Sequence, residues 1–235
     1  MKHLINLFLL LVPFAAITAQ KTIEKGYVKM EITEVTSDDP QAAMQLEMMK
    51  GTVTEVYFTD GIYKTTMTMM GGMIKMNNLV DTKTNKIDML FDAMGQKMWV
   101  NTDIDQAKTN GTGTPDMSDF KVEYDKTQTK TILGYAAYKA TIKPSASQDM
   151  TIEGWVTEEI KTDANIIQGM EDLKLQGFPL EFSIINPQMK LTFSATDIKE
   201  TVADSEFVLK TEGYKKMTAE EFSEMMGSMG GGMGF

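Results

Sequence analysis

TVTEVYFTDGIYKTTMTMMGGMIKMNNLVDTKTNKIDMLFDAMGQKMWVN, residues 52–101, decides the fold. Apolar and polar side chains alternate through it between closely spaced turn signals, the pattern of half-buried strands. Thr52 to Thr59 sets Val56 and Phe58 on one face, and Asp60-Gly61 is a tight hairpin signal. Ile62 to Met70 puts Tyr63, Met67 and Met69 together before Gly71-Gly72 turns the chain. Met73 to Thr82 aligns Ile74, Met76 and Val80, and Lys83 to Lys86, with Asn85, turns again. Ile87, Met89 and Phe91 alternate next, and Met98, Trp99 and Val100 follow Gly95. Connections this short cannot make parallel crossovers, so the strands are consecutive and antiparallel.

The same pattern extends outward. Upstream, Val28, Met30 and Ile32 share a face opposite Tyr27, Lys29 and Glu31, Asp38-Asp39-Pro40 breaks the strand, and residues 41–50 suit one or two helical turns. Downstream, residues 102–118, centred on Asn110-Gly111-Thr112-Gly113-Thr114-Pro115, carry no pattern and read as a loop or linker. It either separates two domains or joins two halves of one sheet. One sheet is expected, since neither half looks able to close its own core. Phe120, Val122 and Tyr124 then alternate, followed by Tyr138, Ala140 and Ile142, by Ile152 to Thr157 with Trp155, and by a hairpin around Asn186-Pro187. Thr196 to Val202 and Phe207 to Leu209 are candidates for a last strand. The period changes once: Ile160, Ala164, Ile167, Met170 and Leu173 form a helical stripe that Thr157 or Thr162 caps and Gly177 ends. Thr218-Ala219-Glu220-Glu221 reads as a capping box opening a short helix through Met226.

The two termini bear on compartment. Met1-Lys2-His3, an apolar run from Leu4 to Ala16, and Ile17-Thr18-Ala19 have the order of a secretory leader cut before Gln20. No later segment approaches the length of a membrane helix. Gly227 to Phe235, glycine and methionine with one serine, reads as a disordered tail. The expected organisation is a leader over 1–19, one domain over 20–217, and a short helix with a Gly/Met tail over 218–235. Export to the periplasm is expected, with an extracellular or outer-membrane-associated place as the alternatives.

Composition removes several chemistries. The chain has no cysteine, and its one histidine, His3, lies in the leader. Histidine is the usual base near neutral pH and the commonest transition-metal ligand, so a Ser-His-Asp arrangement, an ordinary zinc site and histidine-ligated haem are all excluded. Carboxylate-only catalysis stays open in principle. The formal net charge is −10, and loss of Lys2 with the leader makes it −11, which disfavours nucleic acid. A non-enzyme without cofactor, and a monomer, is expected.

Short motifs carry a resemblance. Ile132-Leu133-Gly134-Tyr135 leads to a strand, then to Glu153-Gly154-Trp155-Val156-Thr157 and a helix. The chain finishes with Asp204-Ser205-Glu206-Phe207 and Gly213-Tyr214-Lys215-Lys216-Met217. In these the sequence resembles an uncharacterised family of exported Gram-negative proteins, a domain of unknown function. In layout it is similar to the outer-membrane lipoprotein carrier. The resemblance implies a mainly β protein: a curved antiparallel meander, or half-barrel, covered by one main helix, with a short C-terminal helix. It also implies a concave apolar face that holds acyl chains, and no functional residue carries over by motif.

Twenty-two methionines are the compositional anomaly. They read as core filler, as an adaptable apolar binding face, or as soft thioether ligands for Cu(I). Trp99 and Trp155, with Tyr135 and Tyr138, read as core packing or as a cavity wall. Asp103, Asp105 and Asp116 flank the glycine loop at spacings that do not match an EF-hand. The leading expectation is a carrier-like protein holding a lipid, acyl chain or apolar segment on Val56, Phe58, Met67, Met69, Ile74, Met76, Val80, Met89 and Phe91. The alternatives are an envelope protein-interaction module without a small ligand, and a Cu(I)-binding protein.

Overall fold

The computed structural model describes residues 22–109, 120–144, 150–164 and 175–225. The leader, Asp116, the glycine loop, Ile167, Met170 and Leu173 of the expected helix, and the Gly/Met tail lie outside the described residues.

Twelve strands form one open, curved sheet. They are β1 (Gly26–Ser37), β2 (Val53–Thr59), β3 (Ile62–Met69), β4 (Ile74–Asp81), β5 (Lys86–Ala93), β6 (Gln96–Asp103), β7 (Phe120–Ile132), β8 (Tyr135–Pro144), β9 (Thr151–Thr157), β10 (Phe178–Asn186), β11 (Met189–Lys199) and β12 (Lys215–Met217). Their order in space is β12-β6-β5-β4-β3-β2-β1-β11-β10-β9-β8-β7. The amino-terminal strand therefore sits in the middle and pairs on both sides, with β2 and with β11. The two meanders expected from the sequence are two wings of one sheet, joined through β1. The β12–β6 pair is parallel, and the other named pairs are antiparallel. Register shifts leave Thr196 of β11 unpaired opposite Lys29/Met30, Thr33 of β1, Leu180 of β10 and residues 126–128 of β7, and such extra residues bend their strands.

Local chemistry explains the turns. Gly61, at φ 71°, and Asn85, at φ 56°, take the left-handed conformation that tight hairpins require. Gly26 is needed for closeness: a Cβ there would stand 2.7 Å from the carbonyl oxygen of Lys199, so only glycine lets β1 meet β11. Helix α1 (Pro40–Glu47) starts where Asp39 accepts the N–H of Gln41 at 2.8 Å. The loop expected at 102–118 begins instead with the end of β6 and a short helix, α2 (Ile104–Thr109), whose Gln106 bonds the Thr102 hydroxyl at 2.9 Å. A third helix, α3, covers 219–225. Its capping box is formed: Thr218 N–H donates to Glu221 at 2.8 Å and Glu221 N–H to the Thr218 hydroxyl at 3.1 Å.

Two sequence expectations change. Ile160 is not helical, because it bridges Ile23: the Ile23 N–H donates to Glu159 at 2.7 Å and the Lys161 N–H to Ile23 at 2.9 Å. Thr162 accepts the Ala164 N–H at 3.0 Å, and the rest of the expected helix lies outside the described residues. No last strand forms at 207–209. Strand β11 instead runs on to Lys199 against β1, residues Asp204–Phe207 make a 3₁₀ turn, and the last strand is Lys215–Met217. The 3₁₀ turn crosses the polar face of the sheet, where Glu206 meets the buried Lys64 at 3.0 Å and Asp204 meets Lys25 at 2.5 Å.

Candidate apolar binding face

Pairing register decides which side chains share a face. One row across the amino-terminal wing is Met30, Thr54, Met67, Met76, Phe91 and Met98. The next is Val28, Val56, Thr65, Asn78, Met89 and Val100. A third is Phe58, Tyr63, Val80, Ile87 and Thr102, and Met69, Ile74 and Ala93 make a fourth. All nine residues expected to line a site thus lie on one face of the sheet. The opposite face carries Tyr57, Lys64, Asp88 and Asn101 in one row, and Trp99 in another.

The nine do not form one cluster. Val56 and Phe58 belong to the main core with Val28, Met30, Ile152, Ile160, Leu180 and Phe182. Phe91, with Ile74 and Met76, packs in a second cluster under Met217, Phe222 and Met225, where the Phe91 and Phe222 rings meet edge to face at 5.9 Å. So α3 is laid on the far end of the apolar face. Between the two packed ends, Met67, Met69 and Met89 are half-buried, while Val80 is buried.

Sequence reasoning missed Thr65 and Asn78, which occupy apolar-face positions in this middle zone. Asn78 Oδ1 is buried with no hydrogen-bond partner among the described residues. A buried acceptor with no donor costs about 1–3 kcal/mol, and such groups ask for an explanation. The signal was legible: Asn78 interrupts the apolar series Ile74, Met76, Val80 at its own parity.

The aromatic candidates separate. Trp99 is on the polar face, its indole N–H donating to Asp88 at 2.8 Å and Lys216 lying 4.8 Å over the ring. Lys130 lies 4.6 Å over Trp155. Tyr135 is buried in the main core, with its hydroxyl 3.2 Å from Glu200; burial first, and that carboxylate second, push it up to about 12. Tyr138, also buried, lies 2.6 Å from the Gln176 carbonyl and 2.9 Å from Glu158, and burial raises it well above the usual tyrosine range. Asp103 pairs with Lys86 at 2.6 Å and Asp105 with Asn85 at 3.1 Å. Among the described residues no group of three or more His, Cys, Asp or Glu could hold a metal ion. An open cleft of ≈ 820 Å³ lies elsewhere, at the β6–β12 edge, lined by polar groups including Asn101, Asp105, Gln106 and Glu221.

No protein-family model and no curated protein matches the chain. Solved structures with a similar layout include lipoprotein LppX of Mycobacterium tuberculosis, at 12% identity and TM-score 0.39, covering 77% of this chain and 89% of that one. The MucA/MucB complex of Pseudomonas aeruginosa matches at 12% identity and TM-score 0.42, covering 80% of this chain but 57% of that one. A putative outer membrane lipoprotein-sorting protein domain from Vibrio parahaemolyticus matches at 10% identity and TM-score 0.34, covering 80% and 91%. Among the described residues no helix is long and apolar enough to cross a membrane.

Proposed function

We propose that this is an exported carrier-like binding protein, not an enzyme, whose apolar sheet face holds a hydrophobic ligand such as a lipid, an acyl chain or an apolar segment. The domain would be 20–217, freed from a leader over 1–19. The carrying observation is the middle zone of that face. Met67, Met69 and Met89 are half-buried there, between two packed ends, beside a buried Asn78 acceptor that meets no donor among the described residues. Methionine suits such a zone, because its unbranched thioether side chain repacks around ligands of different shape. Asn78 would accept a hydrogen bond from a ligand hydroxyl or amide, which favours a ligand with a polar group part-way along an apolar body.

Native mass spectrometry and lipid extraction of protein purified from the periplasm test this. A co-purifying lipid, lost in Met67→Asp and Met89→Asp variants that keep the wild-type melting temperature, is the expected result. Recovery of bare protein that also fails to take up fatty acids or phospholipids would end the proposal. A reproducible protein crosslink in intact cells with no lipid would favour an interaction module instead.

A further inference from the structure

The exposed methionines are not scattered. Strands β1, β3 and β5 end, and β2, β4, β6 and β12 begin, at the same end of the sheet. At that end α1 follows β1, and the turns 70–73 and 94–95 close two hairpins. Met44, Met48, Met70, Met73 and Met94, the five exposed methionines among the described residues, lie there. Within the fringe, the two hairpin turns touch: the Met94 N–H donates to the Met73 carbonyl at 3.1 Å. Together they present Met70, Met73 and Met94, which are 41%, 54% and 77% exposed.

Tight turns require a left-handed residue, but not a bulky apolar one facing water. Met70, at φ 51°, and Met94, at φ 52°, occupy the left-handed region that glycine and asparagine fill more easily, with Leu133 the apolar counterpart at the other end of the sheet. A bulky apolar residue kept in a strained turn and pointed at water points to function. Lysines also gather behind the turn pair. The chain carries −10 overall, yet behind the turns Lys75 and Lys97 flank Asp92, and Lys215 and Lys216 lie on the edge strand beside Met98 and Trp99. Among the described residues no carboxylate pairs with Lys75 or Lys215, and Lys97 is only loosely held by Asp92 at 3.8 Å. No charged residue lies between Lys64 and Lys75, or between Asp92 and Lys97.

We propose that the turn pair Met70–Met73 and Met94–Gly95 is a membrane-docking tip, which sinks its three methionines into the interfacial zone of a lipid bilayer while Lys75, Lys97 and Lys215 meet the phosphate headgroups. Apolar side chains gain by entering the acyl boundary, and lysine stems lie along apolar surface with the ammonium at headgroup level. The tip is at the end of the same sheet that bears the apolar face, but the inference does not depend on that face holding a ligand.

Co-sedimentation of the full mature chain with phosphatidylcholine vesicles, with and without phosphatidylglycerol, tests it. The expected result is binding that strengthens with phosphatidylglycerol and weakens with salt. The triple variant Met70→Ser/Met73→Ser/Met94→Ser should bind ~10-fold or more weakly at an unchanged melting temperature. Lys75→Glu/Lys215→Glu should abolish the preference for phosphatidylglycerol. Met44→Ser/Met48→Ser, at the same end but off the turn pair, should bind like wild type. Absence of wild-type binding to either vesicle, or equal binding by the triple variant, would overturn the docking tip. So would a dimer in sedimentation velocity that the triple variant loses while vesicle binding is nil, since the tip would then join two copies. Ligand retention in native mass spectrometry is scored separately, so either proposal can fail alone.

Discussion

The two wings of the sheet flank β1, β2–β6 with the short β12 at its edge on one side and β7–β11 on the other, yet they are filled differently. Twelve methionines lie between Gly26 and Asp103, and three between Phe120 and Lys199. In the carboxy-terminal wing Ile142, Ile152, Phe178, Leu180 and Phe182 are all buried in the main core. In the amino-terminal wing the corresponding face alternates Met, Thr and Asn with aliphatics, and half of it is only partly covered. Branched and aromatic side chains have few rotamers and set a fixed packing, whereas thioethers leave one that can adjust. The carboxy-terminal wing therefore packs more rigidly, and the proposed binding face lies on the other.

If that contrast is right, the largest effect comes from the rigid wing. Leu180→Ala, at a fully buried site, should cost ~3 kcal/mol in urea unfolding, from lost burial and the cavity left behind. A cost below about 1 kcal/mol would mean the main core collapses freely, and the contrast between the wings would be lost.

The alkaline limb of stability probes the same packing. Burial and the nearby Glu55 hold Tyr57 up at about 12, and burial with Glu200 does the same for Tyr135. Both tyrosines hold their protons more tightly folded than unfolded. Their contribution is therefore complete below pH ~10 and is lost as pH rises toward about 12. Urea midpoints should fall across that window, and Tyr57→Phe/Tyr135→Phe should flatten the fall. No change in slope would show that these hydroxyls are freely solvated.

Effects shrink toward the far end of the other wing. Phe222→Ala should loosen α3 from Phe91 and cost about 1–2 kcal/mol, while raising uptake of an apolar probe dye by the uncovered face. Thr218→Ala, which removes the cap of α3, should cost ~1 kcal/mol. Met67→Ala should be smallest, below about 1 kcal/mol, because its side chain is only half-buried. A loss at Met67 equal to that at Leu180 would mean the zone is ordinary core.

Most of the strands were legible because alternation and turn residues are local. Asp60-Gly61 and Asn85 announce their hairpins by the backbone they permit, and the capping box of Thr218 and Glu221 is a pattern three residues apart. The start of the Ile160 helix was misread for a non-local reason: Ile23, far away in sequence, takes the backbone groups of Glu159 and Lys161. The last strand was misplaced for a similar reason, since β11 is prolonged by its partner β1. Alternation put the nine site candidates on one face strand by strand. It could not show that α3 would cover one end of that face and the main core the other.

By itself the sequence determined which residues share a face within each strand, where the hairpins turn, and that the chain has no cysteine and a single histidine, His3. Each of these follows from neighbouring residues or from composition. Only the tertiary structure decided that β1 joins two meanders into one sheet, that the buried Oδ1 of Asn78 meets no donor among the described residues, and that five exposed methionines gather at one end. These depend on strand order and register between segments far apart in the chain, and alternation along a single strand is the same whichever neighbour it pairs with.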